Sequence, residues 1–390
     1  MKGRKVAVVG AAMARVGKSP EPSWRLFAEP AVRAIRDAEL DPGRIEALHI
    51  GNVYSAFTED QTNMAPLALS AIGIRNIPAT RYETACASGS VAFRQGYLGI
   101  ASGLYDVVLV GGTERLRAIP GAAVQQAMAT SLHRNERLAG VTFAVYWAYV
   151  AKAYARKWGL DQRQLEELLA HISMKNHCHG AANKYAQFQS EATVEEILKS
   201  QPAASPIKVM DCCPFSDGAA ALVLASEEVA RSCRKPVWIA GSGQASGPFE
   251  VADRADLSAS PAIVAAARAA YEQAGVGPDQ VDIAEVHDCV NIHEVMCLEG
   301  TGLFKEGEGV YSAKEKRTYY SGDMPVNLSG GLKSRGHPVG ATGAYQLCEM
   351  TQVLRGEFEG RPVNDPGIGL TVNVGGTGTV ATVNILRRED

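Results

Sequence analysis

Two stretches of this 390-residue chain echo each other. The first runs from a short apolar strand, Val6–Val9, through a helix predicted over Pro30–Leu40 into AELDPGRIEALHIG. The second runs from a strand at Val237–Ala240 through a helix at Pro261–Ala274 into AGVGPDQVDIAEVHD. Ala38 and Ala274, Pro42 and Pro278, Ile45 and Val281 keep one offset. Further on, VVLVGGTE at Val107–Glu114 matches TVNVGGTG at Thr371–Gly378, each a β-branched strand closing in a Gly-Gly turn. Strands that alternate with helices predict sheets covered by helices on their faces. Apolar runs of four to six residues suit strands buried on both sides. The sequence therefore predicts two similar α/β halves, residues 1–230 and 231–390, facing each other across a pseudo-twofold axis. The offset grows between the two echoes, so the halves carry different insertions. Residues 116–206 do not alternate and read as an inserted loop or lid region, with an aromatic, amphipathic stretch at Phe143–Trp158.

The bulk composition excludes several classes. Net charge is −3 with no long run of one sign, so nothing marks a nucleic-acid surface. No segment approaches the roughly 18 apolar residues of a membrane span. The start, MKGRKVAVVGAA, is basic and then apolar, but its apolar part is short and reads as a buried strand and turn. Eight cysteines in a chain of this length fit free thiols in a reducing cytoplasm better than a disulfide framework.

Four places hold residues suited to chemistry. Cys86 lies among small residues in YETACASGS, ahead of a helix predicted over Val91–Ala101. A helix N-terminus favours thiolate over thiol, and small neighbours let backbone N–H groups reach a carbonyl oxygen. The pattern is equally that of a space-filling thiol. His337 lies in the glycine-rich loop NLSGGLKSRGHPVGATG, ahead of a helix at Ala341–Leu354. By the repeat, this loop is the counterpart of the Cys86 turn, so the two should meet near the pseudo-twofold axis. His287 and Cys289 follow the strand Val281–Ala284 in EVHDCVNIH, with His293 about a helical turn further on. They suit an acid/base pair or packing, with Asp288 as a helix cap. The turn Gly375–Gly378 could donate an N–H to an oxyanion, but it lacks the lysine of a phosphate loop. His177, Cys178 and His179 with Cys212 and Cys213 lack the paired spacing of a zinc site, and no metal is expected in this chain.

Taken together, five motifs resemble the thiolase superfamily along almost the whole chain. They are ACASG around Cys86, DCCPFSDGAAALVL at Asp211–Leu224, HDC at His287–Cys289, the Gly-His-Pro loop at Asn327–Gly343, and NVGGTG at Asn373–Gly378, in the family's order. The resemblance implies a thiolase-like fold of stacked mixed sheets with covering helices, in an α-β-α-β-α arrangement. The most familiar thiolases carry Asn-Glu-Ala-Phe where this chain has His287–Val290, and a second catalytic cysteine where it has Asn373. In both respects the chain is similar to sterol-carrier-protein-type and archaeal-type thiolases.

That resemblance implies a role for each residue. Cys86 would attack a 3-ketoacyl-CoA and His337 would take its proton. Cys289 would supply the missing acid/base, and coenzyme A would be a substrate. Cys86 and Gly375 would donate N–H groups to the acyl oxyanion, and His287 with His337 would hold the enolate oxygen. It also implies a homodimer and a small zinc-ribbon/OB-fold partner, as in related thiolases such as benzoylsuccinyl-CoA thiolase, for which the aromatic stretch suits a bulky acyl group. A ketoacyl synthase, a retro-aldolase or a catalytically silent acyl-CoA-binding scaffold are the alternatives.

Overall fold

The protein is described by a computed structural model over residues 3–389; Met1, Lys2 and Asp390, the outer ends of the two expected halves, lie outside the described residues. The first half contains β1 (Val6–Met13), α1 (Ser23–Asp37), β2 (Ala47–Gly51), α2 (Ser55–Thr58), α3 (Met64–Ala71), β3 (Ala79–Tyr82), α4 (Ser88–Ala101) and β4 (Val107–Arg115). A long excursion follows, with α5 (Gly121–Ala129), α6 (Arg134–Leu138), α7 (Phe143–Trp158), α8 (Gln162–Gly180), α9 (Val194–Lys199) and a small hairpin, β5 (Pro202–Ala204) and β6 (Ile207–Lys208). The chain returns through β7 (Asp217–Ser226) and α10 (Glu227–Ala230). The second half contains β8 (Val237–Ser246), α11 (Pro261–Ala274), β9 (Ile283–Glu285), α12 (Asn291–Gly300), α13 (Gly331–Ser334), α14 (Thr342–Leu354), β10 (Ile368–Gly375) and β11 (Val380–Arg388).

The sheet order makes the internal repeat visible. Nine strands run β3-β2-β4-β7-β1-β8-β11-β10-β9. Read outward from the middle, β1-β7-β4-β2 on one side matches β8-β11-β10-β9 on the other. Among the described residues, the two sides pair at Ala7 opposite Trp238 and Val8 opposite Val237. The counterpart of β3 is reduced to one parallel bridge between Val326 and Ala284. Helices α4 and α14 pack on each other between the two sides, and α14 touches strands of both. Helices α1 and α3 cover the outer face of the first half, and α11 covers that of the second. The layers are therefore α-β-α-β-α, with the paired helices at the centre.

Two local differences from the sequence expectations have simple causes. Helix α1 starts seven residues earlier than Pro30, which sits inside it. An internal proline removes one hydrogen bond, but Phe27, Ala31, Ala34 and Ile35 form one buried stripe on the sheet. Burying that stripe outweighs the local penalty. Residues 116–206, expected as a loop or lid, are mostly helix. Thr142 caps α7, and Asp161 with Gln164 forms a capping box at the start of α8. The aromatic residues Tyr146, Trp147 and Tyr154 of α7 are fully buried, packed with α8 and α12. Among the described residues, no helix is long and apolar enough to cross a membrane.

Candidate active site

The two central helices carry the site at their N-terminal ends. The chain turns sharply before α4, with Ala85 in the left-handed region at φ 49°. A non-glycine residue there costs about 1 kcal/mol or more. The turn is held by Ser88, whose hydroxyl donates to the Ala85 carbonyl at 2.6 Å and accepts the Thr84 N–H at 2.9 Å. Cys86 therefore projects from the tip of a braced turn.

The His337 loop fits against this turn because glycines permit it. A Cβ on Gly89 would stand 2.9 Å from the Gly340 carbonyl oxygen, and one on Gly343 would stand 2.5 Å from the Ser90 nitrogen. This backbone approach brings His337 Nε2 to 3.3 Å from Cys86 Sγ. The far nitrogen, Nδ1, lies 2.6 Å from Thr342 Oγ1, and that hydroxyl donates to the Pro338 carbonyl at 3.1 Å. The hydroxyl has one hydrogen and has used it, so it accepts from His337 Nδ1–H. The network therefore leaves Nε2 a bare acceptor facing the thiol. The His337 backbone N–H is held in turn by Ser216 Oγ at 2.9 Å.

Burial, rather than the helix terminus, governs the protonation of this pair. It pushes the Cys86 thiol up to about 12, with the Glu114 and Glu83 carboxylates adding; the N–H groups of Gly376 and of Cys86 itself oppose this. His337 is driven down to about 3, first by burial and then by the nearby Arg335 guanidinium. The sequence expectation of a thiolate at the start of α4 is thus not met in the free protein: both partners are neutral. The N–H beside the Cys86 sulfur belongs to Gly376, the neighbour of the Gly375 to which the resemblance gives the second oxyanion donor.

A second cluster adjoins the first. His287 comes from the end of β9 and stands with its ring 5.3 Å from that of His337 and 5.1 Å from that of His293. Its Nδ1 lies 3.1 Å from Asn373 Nδ2, so the amide donates and His287 carries its hydrogen on Nε2. Asn373, which by the resemblance stands where a second catalytic cysteine would be expected, thus fixes a histidine. Cys289 Sγ lies 3.3 Å from Nδ1 of His293. The sequence placed His293 nearby but gave it no role; the signal was its four-residue spacing from Cys289 at the start of a helix. Cys86, His287 and His337 converge within 4.8 Å, and so do His287, Cys289 and His293. The residues weighed for zinc do not converge: His177 Nδ1 lies against the Ser190 carbonyl, His179 Nδ1 against that of Asn327, and Cys212 against that of Lys208.

Asp288 explains how the two loops keep register. It does not cap its own helix α12, whose N-cap, Val290, has no side-chain bond. Its carboxylate instead accepts the backbone N–H groups of Leu332, at 2.6 Å, and Lys333, at the start of α13 in the His337 loop. Glu285 does the same for Ser329, through both its N–H and its hydroxyl. Two acidic residues of the EVHDC segment, Glu285 and Asp288, therefore hold the glycine-rich loop in place.

The excursion also reaches the site. Tyr146 of α7 donates from its hydroxyl to the Thr377 carbonyl at 2.7 Å, and Arg254 reaches the same carbonyl at 2.6 Å and Thr377 Oγ1 at 2.8 Å. The glycine turn behind Cys86 is thereby clamped from outside. A cavity of about 500 Å³ opens beside it, lined by Tyr54, Phe57, Thr84, Ala85, Phe249 and Gly376.

Comparison with known proteins agrees with this layout. Residues 6–228 match the family of thiolase N-terminal domains, and residues 243–388 match that of thiolase C-terminal domain-like segments. The chain is 38% identical to the acetyl-CoA acetyltransferase of Methanothermobacter thermautotrophicus over 388 residues, covering 99% of this chain and 100% of that one. It is 31% identical to the benzoylsuccinyl-CoA thiolase subunit BbsB of Thauera aromatica over 379 residues, covering 96% and 95% of the two chains. Among solved structures it resembles the Ltp2-ChsH2(DUF35) aldolase in fold, with a TM-score of 0.84 at 22% identity over 100% of this chain and 99% of that one.

Proposed function

The chain belongs to the thiolase family, and on that premise we propose that this acyltransferase cleaves a 3-ketoacyl-CoA with coenzyme A, or runs the reverse Claisen condensation, through an acyl group on Cys86. The observation that carries the reading is the 3.3 Å contact of Cys86 Sγ with a His337 Nε2 left bare by Thr342. In cleavage, Cys86 attacks the keto carbon as its proton passes to His337. The bond between C2 and C3 breaks, its electron pair forms the thioester enolate, and Cys289 gives its proton to C2. The CoA thiol then attacks the acyl-cysteine. Its proton restores Cys289, and His337 returns the first proton to the departing Cys86 sulfur. Neutral starting partners suit this sequence, because charge appears only when substrate is present to balance it.

The acyl oxygen is placed against the Cys86 N–H and the Gly375–Gly376 turn, where one lost donor typically costs about 10²–10³ in rate. His287 Nε2–H and His337 hold the enolate oxygen. The cavity lined by Thr84, Ala85 and Gly376, the neighbours of Cys86, has room for more than an acetyl group, and its Tyr54, Phe57 and Phe249 suit a bulky or aromatic acyl chain such as that of benzoylsuccinyl-CoA. Tyr146, Trp147 and Tyr154 of α7 do not support that preference, because they are core. β3 ends the sheet as a partly exposed edge strand, which supports pairing with a second copy. A small zinc-ribbon/OB-fold protein is the further partner we place in the complex, by analogy with the aldolase neighbour, whose name includes a DUF35 component. Eight free thiols suit a reducing cytoplasm.

The test is a panel of acyl-CoAs, from acetyl-CoA to benzoylsuccinyl-CoA, incubated with the protein and any partner and read by mass spectrometry. An acyl adduct on Cys86, with CoA-dependent cleavage of the matching 3-ketoacyl-CoA, supports the reading. Full turnover by Cys86→Ala would sink it. Aldehyde release without an adduct would mark an aldolase.

A further inference from the structure

His293 has no part in the reaction as written so far, yet its surroundings are those of a working group. Its Nδ1 stands 3.3 Å from Cys289 Sγ. Its ring is buried and packs at a tilt of 31° against Trp147 of the excursion, with centroids 4.3 Å apart. Its Nε2 has no hydrogen-bond partner among the described residues. A buried imidazole nitrogen without a partner is uncommon, and here it has a chemical consequence. Nothing fixes the ring proton on Nε2, so the proton is free to sit on Nδ1 and point at the sulfur. A hydrogen bond to a thiolate is stronger than one to a thiol. Formation of the Cys289 thiolate therefore selects the Nδ1–H tautomer.

We propose that His293 is a positioning residue for Cys289: its Nδ1–H stabilises the Cys289 thiolate that exists while Cys86 is acylated. The inference rests on the thiolase reading above. Cys289 loses its proton to C2 during cleavage and regains one from the CoA thiol; in condensation it loses a proton to the departing CoA and gains one from C2. The thiolate lies between the same two steps in either direction, and His293 donates to it without itself changing charge. Burial, with the Arg254 guanidinium adding, holds His293 down at about 3, so it is neutral when the cycle begins. Because Trp147 fixes the plane of the ring, the donor stays aimed at the sulfur.

His293→Phe keeps a ring against Trp147 and removes both nitrogens. Three measurements separate the roles: exchange of the acetyl-CoA methyl protons with D2O, acylation of Cys86 by acetyl-CoA, and, in a Cys86→Ala background, alkylation of Cys289 by iodoacetamide followed by peptide mapping. Exchange should fall about 10²-fold, and acylation, in which Cys289 protonates the departing CoA, by less, about tenfold. Alkylation at neutral pH should fall by about tenfold as the thiolate loses its donor. If His293→Phe does not fold, His293→Gln takes its place; its amide can donate to the sulfur and should keep exchange within about tenfold of the parent. Exchange within about threefold of the parent in folded His293→Phe would overturn the inference. So would an equal loss of exchange and acylation with Cys289 alkylation unchanged, which is the mark of a merely structural residue. Failure of the thiolase reading looks different: the parent protein would form no adduct on Cys86 with any acyl-CoA, and the Cys289 alkylation would still judge the pair.

Discussion

Cys86–His337 and Cys289–His293 are nearly the same object. Each is a thiol 3.3 Å from an imidazole nitrogen, and in each the imidazole is buried and driven down to about 3. They differ at the far nitrogen. Thr342 accepts from His337 Nδ1, which leaves the near nitrogen a lone pair. Nothing accepts from or donates to His293 Nε2 among the described residues, so the near nitrogen is free to carry the proton. On the proposed mechanism, one contact therefore takes a proton from sulfur, and the other offers a hydrogen to it. A thiol–imidazole distance alone does not assign a role; the second nitrogen of the ring does.

The largest test of this contrast is to remove each sulfur. Cys86→Ala should lower turnover by about 10⁴-fold or more and abolish the acyl adduct, as loss of a nucleophile does elsewhere. Cys289→Ala should slow the carbon–carbon step by about 10²–10³-fold and leave acylation of Cys86 measurable by mass spectrometry. Unimpaired turnover in Cys289→Ala would break the division of labour. A finer cut is Thr342→Val, which frees the His337 tautomer. Acylation should fall by about tenfold, roughly the worth of one net hydrogen bond, with methyl-proton exchange at Cys289 less affected in single-turnover measurements.

The smallest expected effect is on stability. His179, His293 and His337 are each held near 3 in the folded chain, whereas an unfolded histidine titrates at about 6.5. Below about pH 6.5 the unfolded chain takes up protons that the folded one refuses, so stability is lost as pH falls towards about 3. His293→Phe should make that acid limb shallower by about one proton, measured as the pH dependence of the denaturation midpoint between about 6.5 and 4.

The sequence carried the large-scale pattern because a repeat is a property of order. The echo of Val107–Glu114 in Thr371–Gly378 became β4 and β10, which hold equivalent places in the sheet. The same symmetry brought His337 to Cys86. Burial is not a property of order, and that is where the reading fell short. A helix N-terminus promised a thiolate at Cys86, but desolvation prevails there. Asp288 looked like the cap of its own helix, yet it serves the loop 44 residues away. His293 stood at the end of EVHDCVNIH without a role, and only the fold shows which nitrogen is idle. The aromatic stretch of α7 carried a periodicity that core packing and substrate contact share, and Tyr146, Trp147 and Tyr154 went to the core.

The Thr377 carbonyl, gripped by Tyr146 from the excursion and by Arg254, has a consequence for redesign. Exchanging residues 116–206 for those of a relative would look like changing a specificity module on an unchanged catalytic frame. It would also change one of the two hands that hold the glycine turn behind Cys86. On the proposed mechanism, substrate range and transition-state geometry would therefore be inherited together, and a grafted excursion that lacks a hydroxyl at position 146 would arrive with a looser turn whatever acyl group it admits.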